Sequence, residues 1–159
     1  MRHLPVFVVL NEPGAALARR LVSVVPGSEV HGLKSRVTGA DIPFEDTLSH
    51  LRGLFADGRP IVAIMSAGIV VRALGSSLSD KTEEPPVLVL SEDGQSVVPL
   101  LGGHQGANQL AREIAAELDG TVSITTAGDT RFGIALDDPP QGWRVANRDN
   151  AKAIMAAQL

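Results

Sequence analysis

Between Ser91 and Asp129 the chain passes through an apolar run, a polar glycine-rich turn, an amphipathic stretch and a second apolar run, an order that few folds accept. Val97, Val98, Leu100 and Leu101 suit a strand buried on both faces of a parallel sheet. Pro99 has no amide to give to a ladder, so it predicts a strand end or edge. After Gly102, Gly103, His104, Gln105 and Gly106 come Leu110, Ile114, Ala115 and Leu118 at helical spacing, stopped by Gly120. The glycine turn therefore feeds a helix N-terminus. Glycines at 102, 103 and 106 allow positive φ and close backbone approach, and the first helical turn leaves N–H groups facing outward, which together make an anion cradle with His104 at its mouth. On spacing alone the stretch serves equally well as a tight strand-to-helix connection. It matches neither the Walker spacing nor G-x-G-x-x-G.

The rest of the chain repeats the same alternation. Leu4 to Leu10 is a continuous apolar strand, and Asn11-Glu12-Pro13-Gly14 opens a helix carrying Leu17, Leu21 and Val24. Pro26-Gly27 ends it, a short strand is predicted over 29–33, and 34–46 reads as an irregular loop. A helix with Leu48, Leu51, Leu54 and Phe55 closes at Asp57-Gly58, the strand Pro60 to Met65 follows, and Ser66-Ala67-Gly68 turns into a short helix ending at Leu74. Positions 75–86 are a surface loop. Val87–Leu90, the turn Glu92-Asp93-Gly94 and Gln95–Leu101 predict a hairpin or meander. Val122–Thr125 is expected as the last central strand, Phe132–Leu136 as one more strand, Trp143–Ala146 as an edge pairing and 149–158 as a helix. This predicts an α/β fold, a three-layer α/β/α sandwich with a largely parallel sheet, with a ligand site beyond the strand carboxyl ends. The turns at 66–68, 102–106 and 125–129 are expected to converge there.

Composition narrows the functions. At 159 residues the chain has the size of one domain, able to bury roughly 68–70% of its unfolded surface. Aromatic residues make up only 3%, which disfavours base stacking, and a net charge of −4 without a basic stripe argues against nucleic acid as partner. The absence of cysteine removes disulfides, thiolate metal sites and a cysteine nucleophile. Histidines at 3, 31, 50 and 104 have no metal-site spacing, so no protein-held metal is expected. The initial apolar run is too short to span a bilayer and lacks a cleavage site, which predicts a cytoplasmic protein without membrane attachment. Ser66 lacks a G-x-S-x-G elbow, so covalent catalysis is not expected.

Five blocks in order carry a resemblance. They are Gly68-Ile69-Val70-Val71-Arg72, Asp80-Lys81, Glu84-Pro85-Pro86-Val87, Leu101-Gly102-Gly103-His104-Gln105-Gly106-Ala107-Asn108 and Thr125-Thr126-Ala127-Gly128-Asp129. Together they resemble the N-terminal domain of the CbiG family of cobalamin biosynthesis, typified by cobalt-precorrin-5A hydrolase. Glu84 stands where the family usually has Asp, and Gly128 where Thr or Ser is commoner. Family members continue into a linker and C-terminal domain or are fused to a precorrin methyltransferase. Residues 1–136 are thus expected to form the family-like domain and 137–159 an extension or the start of a linker.

The resemblance implies a hydrolase that opens the ring-A δ-lactone of cobalt-precorrin-5A, releasing acetaldehyde and leaving cobalt-precorrin-5B. No cofactor is implied beyond the cobalt in the corrinoid substrate. A non-catalytic corrinoid-binding module serving a fused or partner methyltransferase is the alternative. A phosphate or nucleotide binder is a third, against which the missing ribose-binding acid counts. Contact with a C-terminal domain of the family or with a precorrin methyltransferase is an expected partnership, and homodimerisation stays open.

Under the implied activity His104 is the general base, since an imidazole near its ordinary pKa of roughly 6.5 keeps a neutral fraction to take a proton from water. Asp80 shares that work or orients Lys81, which clamps a substrate carboxylate; a solvated loop is the plain alternative. Asn108 either donates to the lactone oxygen or bonds at the helix start. Gly102, Gly103 and Gly106 supply backbone to the substrate, Arg72 binds a carboxylate or forms a surface ion pair, Thr125 and Thr126 bond substrate oxygens, and Asp129 touches substrate or caps the turn.

Overall fold

The computed structural model describes residues 3–132 and 142–157. Continuous apolar runs become buried strands: β1 (Val6–Val9), β4 (Ile61–Ile64) and β5 (Val87–Leu90) have every residue buried. Around them lie β2 (Glu29–Leu33), β3 (Ile42–Phe44), β6 (Ser96–Leu101) and β7 (Thr121–Val122), giving one seven-stranded sheet in the order β3-β2-β1-β4-β5-β6-β7. All neighbours are parallel except β5 and β6.

Helices cover both faces because adjacent strand residues point to opposite sides. Phe7, Val9, Val62, Ile64 and Leu88 face α1 (Glu12–Leu21) and α4 (Ala107–Leu118), which supply Ala18, Leu21, Ala111 and Ile114. Val6, Val8, Ile61, Ala63 and Val87 face α2 (Thr47–Ala56) and α3 (Ala67–Leu74), which supply Leu51, Leu54, Val70 and Leu74. Each large aliphatic side chain fully buried here contributes about 1.5–3 kcal/mol, so the β1–β4–β5 centre is the anchor of the fold. Caps fit the sequence: the Asn11 side chain accepts from the Gly14 amide at 3.0 Å and Asp46 from the Ser49 amide at 2.7 Å.

The three-layer α/β/α expectation holds. Local corrections follow from short-range chemistry. Residues 42–44, expected as loop, form β3, because the Asp41 side chain accepts from the Val30 amide at 2.8 Å and aligns the segment beside β2. Val122–Thr125 was expected as a central strand; β7 instead spans two residues and lies at the sheet edge. Ala127–Phe132 is a helix, α5, and Trp143–Ala146 is not in a strand. The helix expected over 149–158 is present as α6 (Arg148–Ala157). Residues 133–136 of the expected extra strand, and the expected boundary at 136/137, lie outside the described residues.

Two prolines mark open sides. Pro99 occurs in β6 beyond Ser96 and Val97, the two residues that β7 pairs with. Pro43 lies in β3 at the opposite edge.

The hairpin decides where the turns go. The Ser91 amide donates to the Ser96 carbonyl at 3.0 Å, Asp93 accepts from Ser91 Oγ and the Gln95 amide, and Gly94 has φ 73°. β6 therefore runs back against β5, and β7 follows β6. The turn after β6 lands where β1, β4 and β5 begin, at the opposite end of the sheet from the turn after β4.

Candidate functional site

At that end the chain from Leu101 enters a tight turn. Gly102 has φ 69°, and a Cβ on it would lie 2.9 Å from Pro86 Cα, so no other residue fits without moving backbone. Residues 103–105 make one 3-10 turn carrying exposed His104, and Gly106 (φ 105°) is the N-cap of α4, with no side chain capping the helix. The Ala107 amide donates to the Gly102 carbonyl at 3.1 Å and the Leu110 amide to that of Gly106 at 3.0 Å, and the helix dipole gives this end positive character.

Behind the turn is a buried polar cluster. Asn108, 5% exposed, donates from Nδ2 to Thr126 Oγ1 (2.9 Å) and Asp129 Oδ2 (2.9 Å); Thr126 Oγ1 donates to the same Oδ2 (2.6 Å). Asp129 Oδ1 accepts from Arg112 (2.5 Å). Burial pushes the Asp129 carboxyl up, but the bonds from Thr126, Arg112 and Asn108 outweigh it and hold it below the ordinary carboxylate value. A Cβ on Gly103 would stand 3.2 Å from Thr126 and 3.3 Å from Asn108, so the turn rests directly on this cluster. The cluster is a brace that fixes the segment bearing His104.

A second tether comes from the other side. Gln105 Nε2 donates to the Thr82 carbonyl at 3.0 Å, tying the loop with Asp80 and Lys81 to the histidine turn. Asp80 Oδ1 accepts from the Thr82 hydroxyl (2.6 Å) and amide (2.9 Å), which lower its pKa in that order. Next to the turn is a cavity of about 440 Å³ with apolar walls from Leu4, Pro60, Pro85 and Leu110, to which Glu83, Glu84 and Gln105 add polar groups. Among the described residues no group of three or more His, Asp or Glu side chains is arranged to hold a metal ion, and no helix is long and apolar enough to cross a membrane.

The structure thus brings Gly102, Gly103, His104, Gly106, Asn108, Thr126 and Asp129 together, with Asp80 and Lys81 on the tethered loop. Thr125 is exposed beside Thr126. Arg72 is elsewhere. A Cβ on Gly68 would lie 3.1 Å from its guanidinium, so that group folds back over the Ser66–Gly68 turn, at the end where β4 finishes. The expected convergence of three turns is corrected to two, because β6 and β7 reverse direction. The Asn108 amide group is turned onto Thr126 Oγ1 and Asp129 Oδ2, which holds its side chain in the cluster. Arg112 and Gln105 were not singled out in the sequence. Arg112 follows Asn108 by four residues, and that same-face helical spacing was the available signal.

Comparison with known proteins adds a family. Residues 49–129 match the family described as Cobalamin synthesis G N-terminal. The chain is 38% identical over 130 residues to the cobalt-precorrin-5A hydrolase of Salmonella typhimurium, covering 80% of this chain and 37% of that protein. It is 30% identical over 161 residues to the cobalt-precorrin-5A hydrolase of Priestia megaterium, covering 94% and 42%. The chain thus spans less than half the length of these curated relatives. A crystal structure of a cobalamin biosynthesis protein G homolog from Sulfolobus solfataricus superposes with a TM-score of 0.55 at 25% identity, over 96% of this chain and 45% of that one.

Proposed function

From the premise that the chain belongs to the Cobalamin synthesis G N-terminal family, we propose that it opens the ring-A δ-lactone of cobalt-precorrin-5A by hydrolysis. The observation that carries this reading is an exposed histidine on a braced, glycine-rich turn beside a cavity and the N-terminus of α4. Water attacks the lactone carbonyl while His104 takes its proton, and the positive end of the α4 dipole stabilises the oxygen that becomes negative. Breaking the acyl C–O bond frees the ring-A acetate and leaves the two-carbon fragment as an alkoxide; as its oxygen forms the carbonyl of acetaldehyde, the carbon–carbon bond to the macrocycle breaks and the electron pair stays with the macrocycle's conjugated system. Cobalt enters as part of the substrate, and the scheme uses no cofactor of the protein's own.

The residues then divide by task. Lys81, on the loop that Gln105 fixes, attracts a peripheral carboxylate, and exposed Thr125 bonds a substrate oxygen. Glu83 and Glu84 repel carboxylates from the cavity, so an apolar part of the macrocycle enters it. Asn108, Thr126, Asp129 and Arg112 hold the turn, and Asp80 shapes its loop through Thr82. Arg72, at the other end of the sheet, takes no part in this scheme.

A second reading is favoured by the span of less than half the relatives' length: a corrinoid-binding module whose chemistry needs a C-terminal domain or a partner methyltransferase. Titration with cobalt-precorrin-5A, following its absorption and trapping acetaldehyde, separates the two. Acetaldehyde that disappears in His104→Ala supports the hydrolase. A spectral shift without acetaldehyde supports the binding module, and no response to the macrocycle removes both.

A further inference from the structure

Away from the His104 end, the strand β2 and helix α2 enclose a chain of ionisable groups that the proposed reaction does not use. Arg59 donates to Glu29 Oε2 at 2.8 Å, His31 Nε2 lies 3.3 Å from the same oxygen, and His31 Nδ1 lies 2.8 Å from His50 Nε2. His31 is 2% exposed on β2, and His50 stacks on Phe44 with ring centroids 4.4 Å apart and planes within 7°. These contacts fix the tautomers. The Glu29 carboxylate only accepts, so His31 carries its proton on Nε2 and presents a bare Nδ1; His50 must then donate from Nε2. The order is His50 to His31 to Glu29, each donating to the next.

We propose that this chain is an acid-operated latch between α2 and β2, which tolerates one added proton and opens on the second. The first proton goes to Nδ1 of His50 and leaves every hydrogen bond of the chain in place. A second proton on His31 Nδ1 would set two N–H groups face to face at 2.8 Å, with the His50 ring stacked on Phe44. The surroundings do not relieve it. β1 offers Val8 opposite His31 and Arg59 adds positive charge, while Glu29 and Asp41, whose carboxylate accepts from the Val30 amide, favour the proton without removing the contact between the two N–H groups. On α2, Asp46 is engaged by the Ser49 amide and Arg52 by the Ala73 carbonyl; on α3, Arg72 folds over Gly68. Burial lowers the pKa of both histidines from 6.5, with Glu29 opposing this at His31. Neutral imidazole is therefore favoured in the folded state. The stability it contributes is present above 6.5 and is lost as pH falls from there toward the folded values.

The test is made on the whole chain. Long-range 1H–15N spectra at pH 8 should show both His31 and His50 as Nε2–H tautomers. The protection factors of α2 amides, each rate being referred to the intrinsic rate at the same pH, should fall from pH 7 to 5 ahead of those of α4, with a fall in the urea midpoint that is at least halved in His50→Gln, whose amide donates but does not titrate. A His31 Nδ1–H tautomer, or an undiminished acid response in His50→Gln, would overturn the proposal. The tautomer measurement on the unaltered chain decides it even if the variant does not fold.

Discussion

The two ends of the central sheet use the same local grammar, a strand followed by a small-residue turn and a helix, yet they are furnished differently. Where β1 and β4 finish, the turns at Asn11–Gly14 and Ser66–Gly68 open α1 and α3, and the polar groups there are exposed: Arg19 pairs with Glu12, Lys34 with Glu45, and Arg72 lies over Gly68. Where β6 and β7 finish, the turn rests on a carboxylate whose side chain is 5% exposed and which is bonded by three partners. One antiparallel hairpin makes the difference. Without it the glycine turn would join the crevice beyond β1 and β4, the usual ligand position in such sheets. With it, the best-braced turn of the molecule sits among the strand beginnings.

If the ends differ in function as they differ in construction, substitutions should rank accordingly. His104→Ala should lower acetaldehyde release about 10²–10⁴-fold, while Arg72→Ala lowers it less than about tenfold; equal losses would erase the distinction. Asp129→Ala takes from the Thr126 hydroxyl its acceptor and from Asn108 and Arg112 one bond each, and should cost about 2–3 kcal/mol in urea unfolding. Gly102→Ala forces a Cβ into the left-handed region against Pro86 and should cost about 2 kcal/mol. The brace should also be visible in acid. Because the Asp129 pKa is lowered from 3.8, its contribution is full above that value and is lost as pH falls below it. Stability measured from pH 5 to 2 should therefore decline more steeply in the unaltered chain than in Asp129→Asn. Smallest of all, Lys34→Ala removes an ion pair with side chains 66% and 80% exposed, and should shift unfolding by less than about 0.5 kcal/mol. A larger effect there would show that the exposed end is also braced.

Much of this was legible in the residues. Unbroken apolar runs announced β1, β4 and β5, the helical period announced α1, α2 and α4, and Glu92-Asp93-Gly94 announced the hairpin. What the sequence did not display is direction. A hairpin and a crossover read alike along the chain until the reversal is followed through to the next turn, and that step moved Arg72 away from His104. β3 escaped because its strand character depends on Asp41 reaching the Val30 amide, a contact across eleven positions. Arg112 escaped because it belongs to no recognisable block, and Gln105 because its place within one shows no role along the chain; their meaning comes from where Asp129 and Thr82 arrive. The histidine pair escaped for the same reason, His31 and His50 being brought together by a strand and a helix separated in sequence.

The proline in β3 has a consequence for the molecule in a crowd. The Lys34 amide donates to the Phe44 carbonyl at 2.8 Å, so residue 44 is turned toward β2 and residue 43, one step along the pleat, is turned outward. At the outward position a visiting strand would look for an amide hydrogen, and it meets a pyrrolidine ring instead. The border of the sheet next to the histidine latch thereby lacks an amide hydrogen that strand-by-strand growth would need at that position.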